Sequence, residues 1–405
     1  MDLRYSAQHR ALQEEARTFI QKHRHLSPKT GGGRKRPDAR ALDWQKLLLE
    51  RGYFARNIPR EYGGFGRPVD IMELAIIAEE FSNAGVSPGI MNQGISMLVP
   101  TLLEVGTKEQ CVRWIGPTIR GDIIWCQGYS EPGSGSDLAA AKTSARVEAG
   151  QFVINGQKIW TSSAHYADMM FLLCRTEFDK SKHDGLSYLL VPMNAPGIEV
   201  RPLVTMTGRA EFNETFFTDV RVPTDQIVMG RGDGWHVANV TLKYERMLLG
   251  DANKLTYRLA RAVELMKKTT LDGCRFIDIP EYRERLLKLQ GEVMASKYHG
   301  LRLMTEQAKG EDSGVKRLIV KLNGTMIAYR LSSLVVDVLG AAGLAYEPVG
   351  EAAEDDEATT WQIDNMYDIG LIIGGGSSNI QKNIIGERGL GLPREPKSAP
   401  PAVRA

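Results

Sequence analysis

The chain has little of what marks a secreted, metal-binding or nucleic-acid-binding protein. Its four cysteines, Cys111, Cys126, Cys174 and Cys274, stand far apart in 405 residues with no Cys-x-x-Cys or His-x-x-x-His spacing. That gives no sign of a disulfide framework or a zinc site, and it is the pattern of small buried thiols in a reducing compartment. The formal net charge of +2 is too small for a nucleic-acid surface, and the Arg34-Lys-Arg36 cluster follows a run of glycines that reads as a solvated loop. The start, Met1-Asp-Leu-Arg, has no apolar signal core and no Arg/Ser-rich transit character, so the expected compartment is the cytoplasm. Residues 81–103 carry no charge, but Gly85, Pro88, Gly89, Asn92, Gln93, Gly94 and Pro100 make them a poor membrane span. There is no internal repeat and no alternation of strand and helix, which argues against a doubly wound nucleotide-binding fold.

What is present is enough apolar sequence, 42% against 25% charged, to bury cores for two or three domains. Up to residue 121 the apolar period is helical: Leu12, Ala16, Phe19 and Ile20 form one stripe, and Met72, Ala75, Ile76 and Glu79 to Phe81 continue the habit. Over 122–234 short apolar runs such as Met169-Met-Phe-Leu-Leu-Cys174 and Leu186-Ser-Tyr-Leu-Leu-Val191 alternate with Gly, Pro and Asn, as in a small β domain. From 235 to 392 the helical period returns. The Pro/Ala-rich stretch 393–405 reads as a disordered tail and the acidic run 351–357 as an exposed loop. The expected class is α+β in the order α, β, α.

The most specific sequence is Trp125-Cys-Gln-Gly-Tyr-Ser-Glu-Pro-Gly-Ser-Gly-Ser-Asp137, followed by Gln157-Lys-Ile-Trp-Thr-Ser-Ser163. Between them lie Arg146-Val-Glu, the turn pair Ala149-Gly150, Gln151-Phe-Val-Ile and Asn155-Gly156, an Asn-Gly pair that reads as a hairpin turn. Such a hairpin carries Trp160, Thr161 and Ser162 back toward Tyr129 and Ser130, so that an aromatic plane, hydroxyls and Gly-rich backbone converge on one planar ligand.

With these motifs the chain resembles the acyl-CoA dehydrogenase family over nearly its whole length. The resemblance implies an N-terminal α-helical domain, a central small β-barrel and a C-terminal four-helix bundle. It also implies FAD as cofactor, an acyl-CoA substrate and an electron-transfer flavoprotein as acceptor. Dehydrogenation needs a base for one hydrogen, taken as a proton, and the flavin for the other. In many family members the base is a Glu in a Tyr-Glu-Gly-Thr-Ser motif, but here that segment reads Gly374-Gly-Gly-Ser-Ser-Asn379 and the base position falls on Gly375. The branch resembling isovaleryl-CoA and long-chain dehydrogenases places its Glu before an Arg on the first helix after the β domain, where this chain has Glu245 and Arg246. Helix spacing agrees: Thr241, Leu242, Leu248 and Leu249 lie three and four positions from Glu245, a largely apolar stripe that raises a carboxylate pKa. Gly375 retains its backbone N–H for the thioester carbonyl.

Other roles are implied by the resemblance. Gln127, Tyr129 and Ser130 would meet the pyrimidine side of the flavin, Trp160 and Thr161 its ring, and Ser162 the region of N5. Ser377, Ser378 and Asn379 would lie at the cofactor's other end, and Ser136, Tyr244 and Arg246 would face the CoA thioester. For Arg246 pairing with Glu245 stays open as an alternative. No metal is implied. Two family motifs for the adenosine half of FAD are altered, to Leu271-Asp-Gly-Cys-Arg-Phe-Ile-Asp278 and Asp337-Val-Leu-Gly340-Ala-Ala-Gly343. Dimers or tetramers, homo- or heteromeric, are both compatible. The ending resembles bacterial dehydrogenases for bulky thioesters, including the steroid side-chain branch. A flavin monooxygenase or oxidase on the same fold, and a non-catalytic partner subunit, stay open as rival functions.

Overall fold

Residues 5–28, 35–311, 313–344 and 357–394 are described by the structure, a computed structural model. The acidic run at 351–356 and the tail from 395 lie outside the described residues. Ser6, Asp38 and Asp70 turn a side-chain oxygen onto the first free N–H groups of α1 (Ala7–His23), α2 (Ala39–Arg51) and α3 (Ile71–Asn83), which is how short polar side chains start helices. α1 buries the expected stripe of Leu12, Ala16, Phe19 and Ile20. On α3 the buried face keeps Ile76, Glu80 and Phe81 of the expected stripe, but takes Glu73 and Ile77 where Met72 and Ala75 were expected. The two carboxylates tolerate this because Arg56 meets Glu73 at 2.7 Å and Arg17 meets Glu80 at 2.9 Å, and a paired charge can be buried where a lone one cannot. α4 (Val99–Val105) and α5 (Lys108–Arg120) complete the first helical layer.

The strands β1 (Trp125–Gly128), β2 (Ser144–Glu148), β3 (Gln151–Lys158), β4 (Met169–Arg175), β5 (Leu186–Pro192), β6 (Ile198–Leu203) and β7 (Phe212–Pro223) form one curled sheet. β4 takes β5 antiparallel on one edge and β1 parallel on the other, with Trp125 opposite Met169; β3 pairs with β2 and β7, and β6 with β7. β4 and β5 are covered on both faces, which is why they read as unbroken apolar runs. Phe171 and Tyr188 face a core shared with α4 and α5, whereas Met170, Leu172 and Val191 face the sheet interior with Phe152 and Ile154.

Of the two turns expected from the sequence, one forms and the other does not. The β2–β3 hairpin turns at Ala149-Gly150, both at positive φ (47° and 76°), as two-residue hairpins of this kind require. Asn155 and Gly156 lie inside β3 instead, at a bulge where the register against β7 slips between Ile154 and Gly156. Asn155 is held there by bonds of 2.9 Å in both directions with Asp219, and Gly156 passes so close to Thr143 that a Cβ would come within 2.7 Å of its Cα. The strand therefore continues to Lys158.

The third part comprises α6 (Gly234–Leu249), α7 (Ala252–Lys268), the two-residue pair β8 (Thr270–Leu271) and β9 (Cys274–Arg275), α8 (Pro280–Ala308), α9 (Lys316–Leu339), α10 (Ala341–Leu344), α11 (Glu357–Ile373) and α12 (Ser378–Ile384). α7, α8, α9 and α11 share a core that includes Met266, Leu289, Val293, Leu331, Val335 and Trp361. α6 belongs to two layers. Its Val237 and Ala238 pack with α4, α5 and β5, while at its end Gly250 crosses α9 so tightly that a Cβ on Gly324 would come within 2.6 Å of the Gly250 Cα. That crossing sets α9 directly behind the last turns of α6. Cys111, Cys126 and Cys174 are buried, but Cys274 is exposed, because the β8–β9 pair projects from the bundle. Arg36, expected to be merely solvated, bonds Asp168 at 2.9 Å. No helix among the described residues is long and apolar enough to cross a membrane.

Candidate active site

Two walls meet at the end of β1. The first is made by β1, its following loop and the end of β3. Lys158, fully buried, donates to the Tyr129 carbonyl at 2.9 Å and to Glu131 at 2.8 Å. Glu131 also accepts the N–H groups of Lys142 (2.7 Å) and Thr143 (2.9 Å), and the Ile159 N–H reaches the Ser130 carbonyl at 2.9 Å. Burial pushes Glu131 up, but Lys158 and these hydrogen bonds outweigh it and leave its pKa lowered. The two strand ends are thus stapled together, and Trp160, Thr161 and Ser162 return to Tyr129 and Ser130 although the Asn-Gly turn does not exist.

The returning segment is strained and partly unsatisfied. Trp160 and Ser163 lie at φ +61° and +66°, a conformation uncommon for residues other than glycine. The Trp160 ring is 56% exposed, resting edge-on against Phe212. The Thr161 backbone is locked to Asn213 (3.0 and 3.1 Å), whereas its hydroxyl is buried without a chain partner. Ser162 is half-buried. Tyr129 turns its ring down into the core, edge-on to Phe171 and Tyr188. Ser136 lies exposed in the loop beyond.

The second wall is helical. Glu245 on α6 accepts a long 3.4 Å hydrogen bond from Gln127 of β1, the residue that joins the two walls. Gly375 lies on the other side of the carboxylate, at φ +63°; a Cβ there would come within 2.4 Å of the Leu249 side chain and 3.1 Å of Glu245 Oε1. The carboxylate fills the space that a side chain at 375 would take. Burial raises the Glu245 pKa, opposed by the Gln127 bond and by the charges of Arg246 and Lys321. Burial lowers that of Arg246, with Glu245 opposing and Arg388 and Arg317 adding to the effect; its Nε is buried without a chain partner.

Behind the 374–376 turn, Gln381 Nε2 donates to the carbonyls of Gly375 (3.2 Å) and Gly376 (3.3 Å), and Lys321 donates to those of Ile372 (3.1 Å) and Gly376 (2.7 Å). Among the described residues the Gly375 N–H has no chain partner. Ser377 caps α12, accepting the Ile380 N–H at 3.3 Å. Ser378 has a buried hydroxyl without a partner, and Asn379 is exposed. Tyr244 is set apart from this group: its hydroxyl donates to Glu104 on α4 at 2.8 Å, beside Lys243.

Gln127, Glu245 and Gly375 are therefore brought into one contact group, next to Arg246 in sequence, while Tyr244 and Ser136 lie toward its margins. Four residues of the two walls escaped sequence reasoning: Glu131, Lys158, Lys321 and Gln381. Lys321 carried a signal, since Leu318, Lys321, Thr325, Ala328 and Ser332 share the buried face of α9 at helical spacing; a charge on that stripe is anomalous. The exposed indole and the orphaned Thr161 and Ser378 hydroxyls fit a flat ligand with hydrogen-bonding groups, as a flavin is.

Two helical domains around a curled sheet, with a buried carboxylate where sheet and bundle meet, define an oxidoreductase of the acyl-CoA dehydrogenase fold. Residues 6–122, 126–220 and 232–390 match the family models for the N-terminal, middle and C-terminal domains of acyl-CoA dehydrogenases, and the chain belongs to that family. It is 40% identical over 361 residues to acyl-CoA dehydrogenase IpdE1 of Mycobacterium tuberculosis, covering 87% of this chain and 88% of the relative. Among solved structures it is similar to the Tcur3481-Tcur3483 steroid ACAD (TM-score 0.81, 28% identity, 98% of this chain and 100% of that one). It is also similar to the ChsE4-ChsE5 complex from Mycobacterium tuberculosis (TM-score 0.79, 29% identity, 98% and 100%).

Proposed function

We propose that this acyl-CoA dehydrogenase is FAD-dependent and converts its thioester to the trans-2-enoyl-CoA, with Glu245 taking the α-proton. The contact between Glu245 and Gly375 carries this reading: the carboxylate has no competitor at 375 and stands beside the backbone that is left bare there. Gln127, Tyr129, Ser130, Trp160, Thr161 and Ser162 would hold the flavin ring, and Ser377, Ser378 and Asn379 the other end. When bound, FAD supplies at N5 the acceptor for the β-hydrogen as hydride. Glu245 must be ionised to act; burial works against this, and Arg246, Lys321 and the Gln127 amide work for it. The resulting raised pKa suits a base operating near neutrality. The unpartnered Gly375 N–H suits the thioester oxygen, where a fixed donor lowers the barrier to α-proton loss. Arg246, with its orphaned Nε, suits the CoA side, and Tyr244 and Ser136 would meet the CoA thioester from the margins of the site.

A bulky or branched acyl group, a steroid side chain among them, is supported by the similarity to the steroid ACAD. A heteromeric assembly is supported by the altered adenosine-side sequences and by the similarity to a two-component complex. An electron-transfer flavoprotein as acceptor, and a cytoplasmic location, complete the reading. The test is the absorbance spectrum of the purified protein followed by anaerobic titration with a panel of thioesters. A flavin band bleached by bulky thioesters, with ferrocenium reduction and little oxygen consumption, is expected. Bleaching confined to short straight chains would overturn the substrate class, a colourless protein would favour a non-catalytic partner subunit, and rapid oxygen consumption an oxidase.

A further inference from the structure

Lys321 is fully buried, yet among the described residues its ammonium meets no carboxylate in an ion pair. Its two acceptors are the carbonyls of Ile372 and Gly376, on either side of the 374–376 turn. Gln381 already tethers that turn with a neutral amide. A buried, incompletely compensated cation is an expensive way to add one more tether, so the charge itself calls for an explanation. The Gly250–Gly324 crossing sets this part of α9 behind the last turns of α6, where Lys321 and Glu245 act on one another electrostatically.

We propose that Lys321 is a positioning residue for proton abstraction: it holds the 374–376 turn with the Gly375 N–H available beside Glu245, and its cation keeps Glu245 in the carboxylate form. This rests on the reading of Glu245 as the base. The groups that face the pair are few. From α6, Arg246 acts on both. From β1 and the residue after it, the Gln127 amide and the Tyr129 hydroxyl act toward Glu245. From α12 and the 374–376 turn come neutral groups, Gln381 and the carbonyls. Arg317 and Arg388 act on Arg246 one step further out.

Burial brings the Lys321 pKa down to about 8, against the support of Glu245. The cation is therefore present below about pH 8 and lost above it, whereas an arginine stays charged throughout. The folded value lies below the unfolded one, about 10.4, so the unfolded chain binds more protons between the two. The wild type must then gain stability relative to Lys321→Arg as pH rises through that window.

The experiment compares FAD-loaded wild type, Lys321→Arg, Lys321→Met and Glu245→Gln in single-turnover flavin bleaching from pH 6 to pH 10, using the thioester that bleaches the wild type fastest. Melting temperatures of the cofactor-free proteins are taken over the same range. The expected wild-type rate falls above about pH 8, and Lys321→Arg remains active without that fall. Lys321→Met is about 100-fold slower, the scale of losing one fixed oxyanion donor, and its acid limb moves to higher pH at unchanged FAD content. The difference in melting temperature between wild type and Lys321→Arg grows from pH 8 to pH 10. An alkaline limb shared by wild type and Lys321→Arg, or a flat difference in melting temperature, would overturn the inference, and so would wild-type rates and limbs in Lys321→Met. If Lys321→Met does not fold, the wild type and Lys321→Arg decide by themselves. Bleaching at wild-type rate in Glu245→Gln would sink the base assignment alone, whereas an inactive Glu245→Gln beside an unchanged Lys321→Arg would sink the role of Lys321 alone.

Discussion

Both walls of the site are built around a buried lysine, and the two lysines are compensated in opposite ways. Lys158, in the sheet wall, meets Glu131 at 2.8 Å, and Glu131 in turn takes two backbone N–H groups. Burial lowers the Lys158 pKa and the Glu131 charge resists it, so the network closes on itself and the cradle is fixed. Lys321, in the helical wall, has only carbonyls as hydrogen-bond partners, and the carboxylate that acts on it is that of Glu245, the proposed base. A closed network gives rigidity; an open one leaves charge uncompensated. On the proposed function the cradle holds a ligand and the opposite wall changes protonation state.

If that contrast is right, the largest stability effect belongs to the closed network. Lys158→Met strands Glu131 in the interior and is expected to cost about 3–5 kcal/mol, with flavin content falling in the purified protein. Lys321→Met takes its donor from the Ile372 carbonyl and leaves that of Gly376 with the Gln381 amide, so it is expected to cost about 1–3 kcal/mol, and chemical denaturation of the two variants side by side gives the ranking. Equal costs would remove the distinction between the walls.

Gly375→Ala probes the helical wall without touching the cradle. Its φ of +63° and the 2.4 Å approach of a Cβ to Leu249 predict strain of about 1–2 kcal/mol. They also predict a displaced Glu245, read as flavin reduction roughly 10–100-fold slower at unchanged FAD content. Trp160→Gly does the reverse. It removes a side chain held at φ +61° and should change stability by no more than about 1 kcal/mol, toward the stable side, while FAD dissociates more readily in an equilibrium titration. A large loss of stability would show that the indole is a core residue and not a ligand surface.

The smallest effect is the most specific to Glu245. Its folded pKa is raised, so the folded state holds the proton over a window in which the unfolded chain has released it, and stability falls as pH rises through that window. Glu245→Gln should therefore melt about 1–2 °C higher than the wild type at neutral pH, and the difference should vanish near the ordinary carboxylate pKa of about 4.3.

The helical wall was legible in sequence to the extent that its chemistry depends on spacing along one helix. Glu245 could be placed on an apolar stripe by counting threes and fours, and the vacancy at Gly375 was visible as an absence of side chain. What spacing could not show is that the two positions lie side by side, because residues 130 apart in sequence meet only in the fold, where α6 crosses α9 at Gly250 and Gly324 and Lys321 of α9 holds the turn that carries Gly375. The same limit hid Lys321, whose partners lie on α11 and in the turn that follows it. In the sheet wall the alternating runs, the Ala149-Gly150 turn and the return of Trp160 were readable, but the second turn expected at Asn155-Gly156 does not form. Ala149-Gly150 and Asn155-Gly156 both carry turn chemistry, and the choice between them was made by Asp219 on β7, which holds Asn155 in the strand. On α3 the stripe included Glu80 but missed Glu73, whose arginine partner lies elsewhere in the chain.

The central claim is that the base has moved to Glu245 and that the glycine at 375 makes room for it. Its most direct test is the single-turnover bleaching rate of FAD-loaded Glu245→Gln with a bulky acyl-CoA thioester, measured beside the wild type at the same flavin occupancy. A rate lower by about 10³-fold or more, the scale of losing a general base, is expected, with thioester binding retained. Bleaching within a factor of a few of the wild type would contradict it.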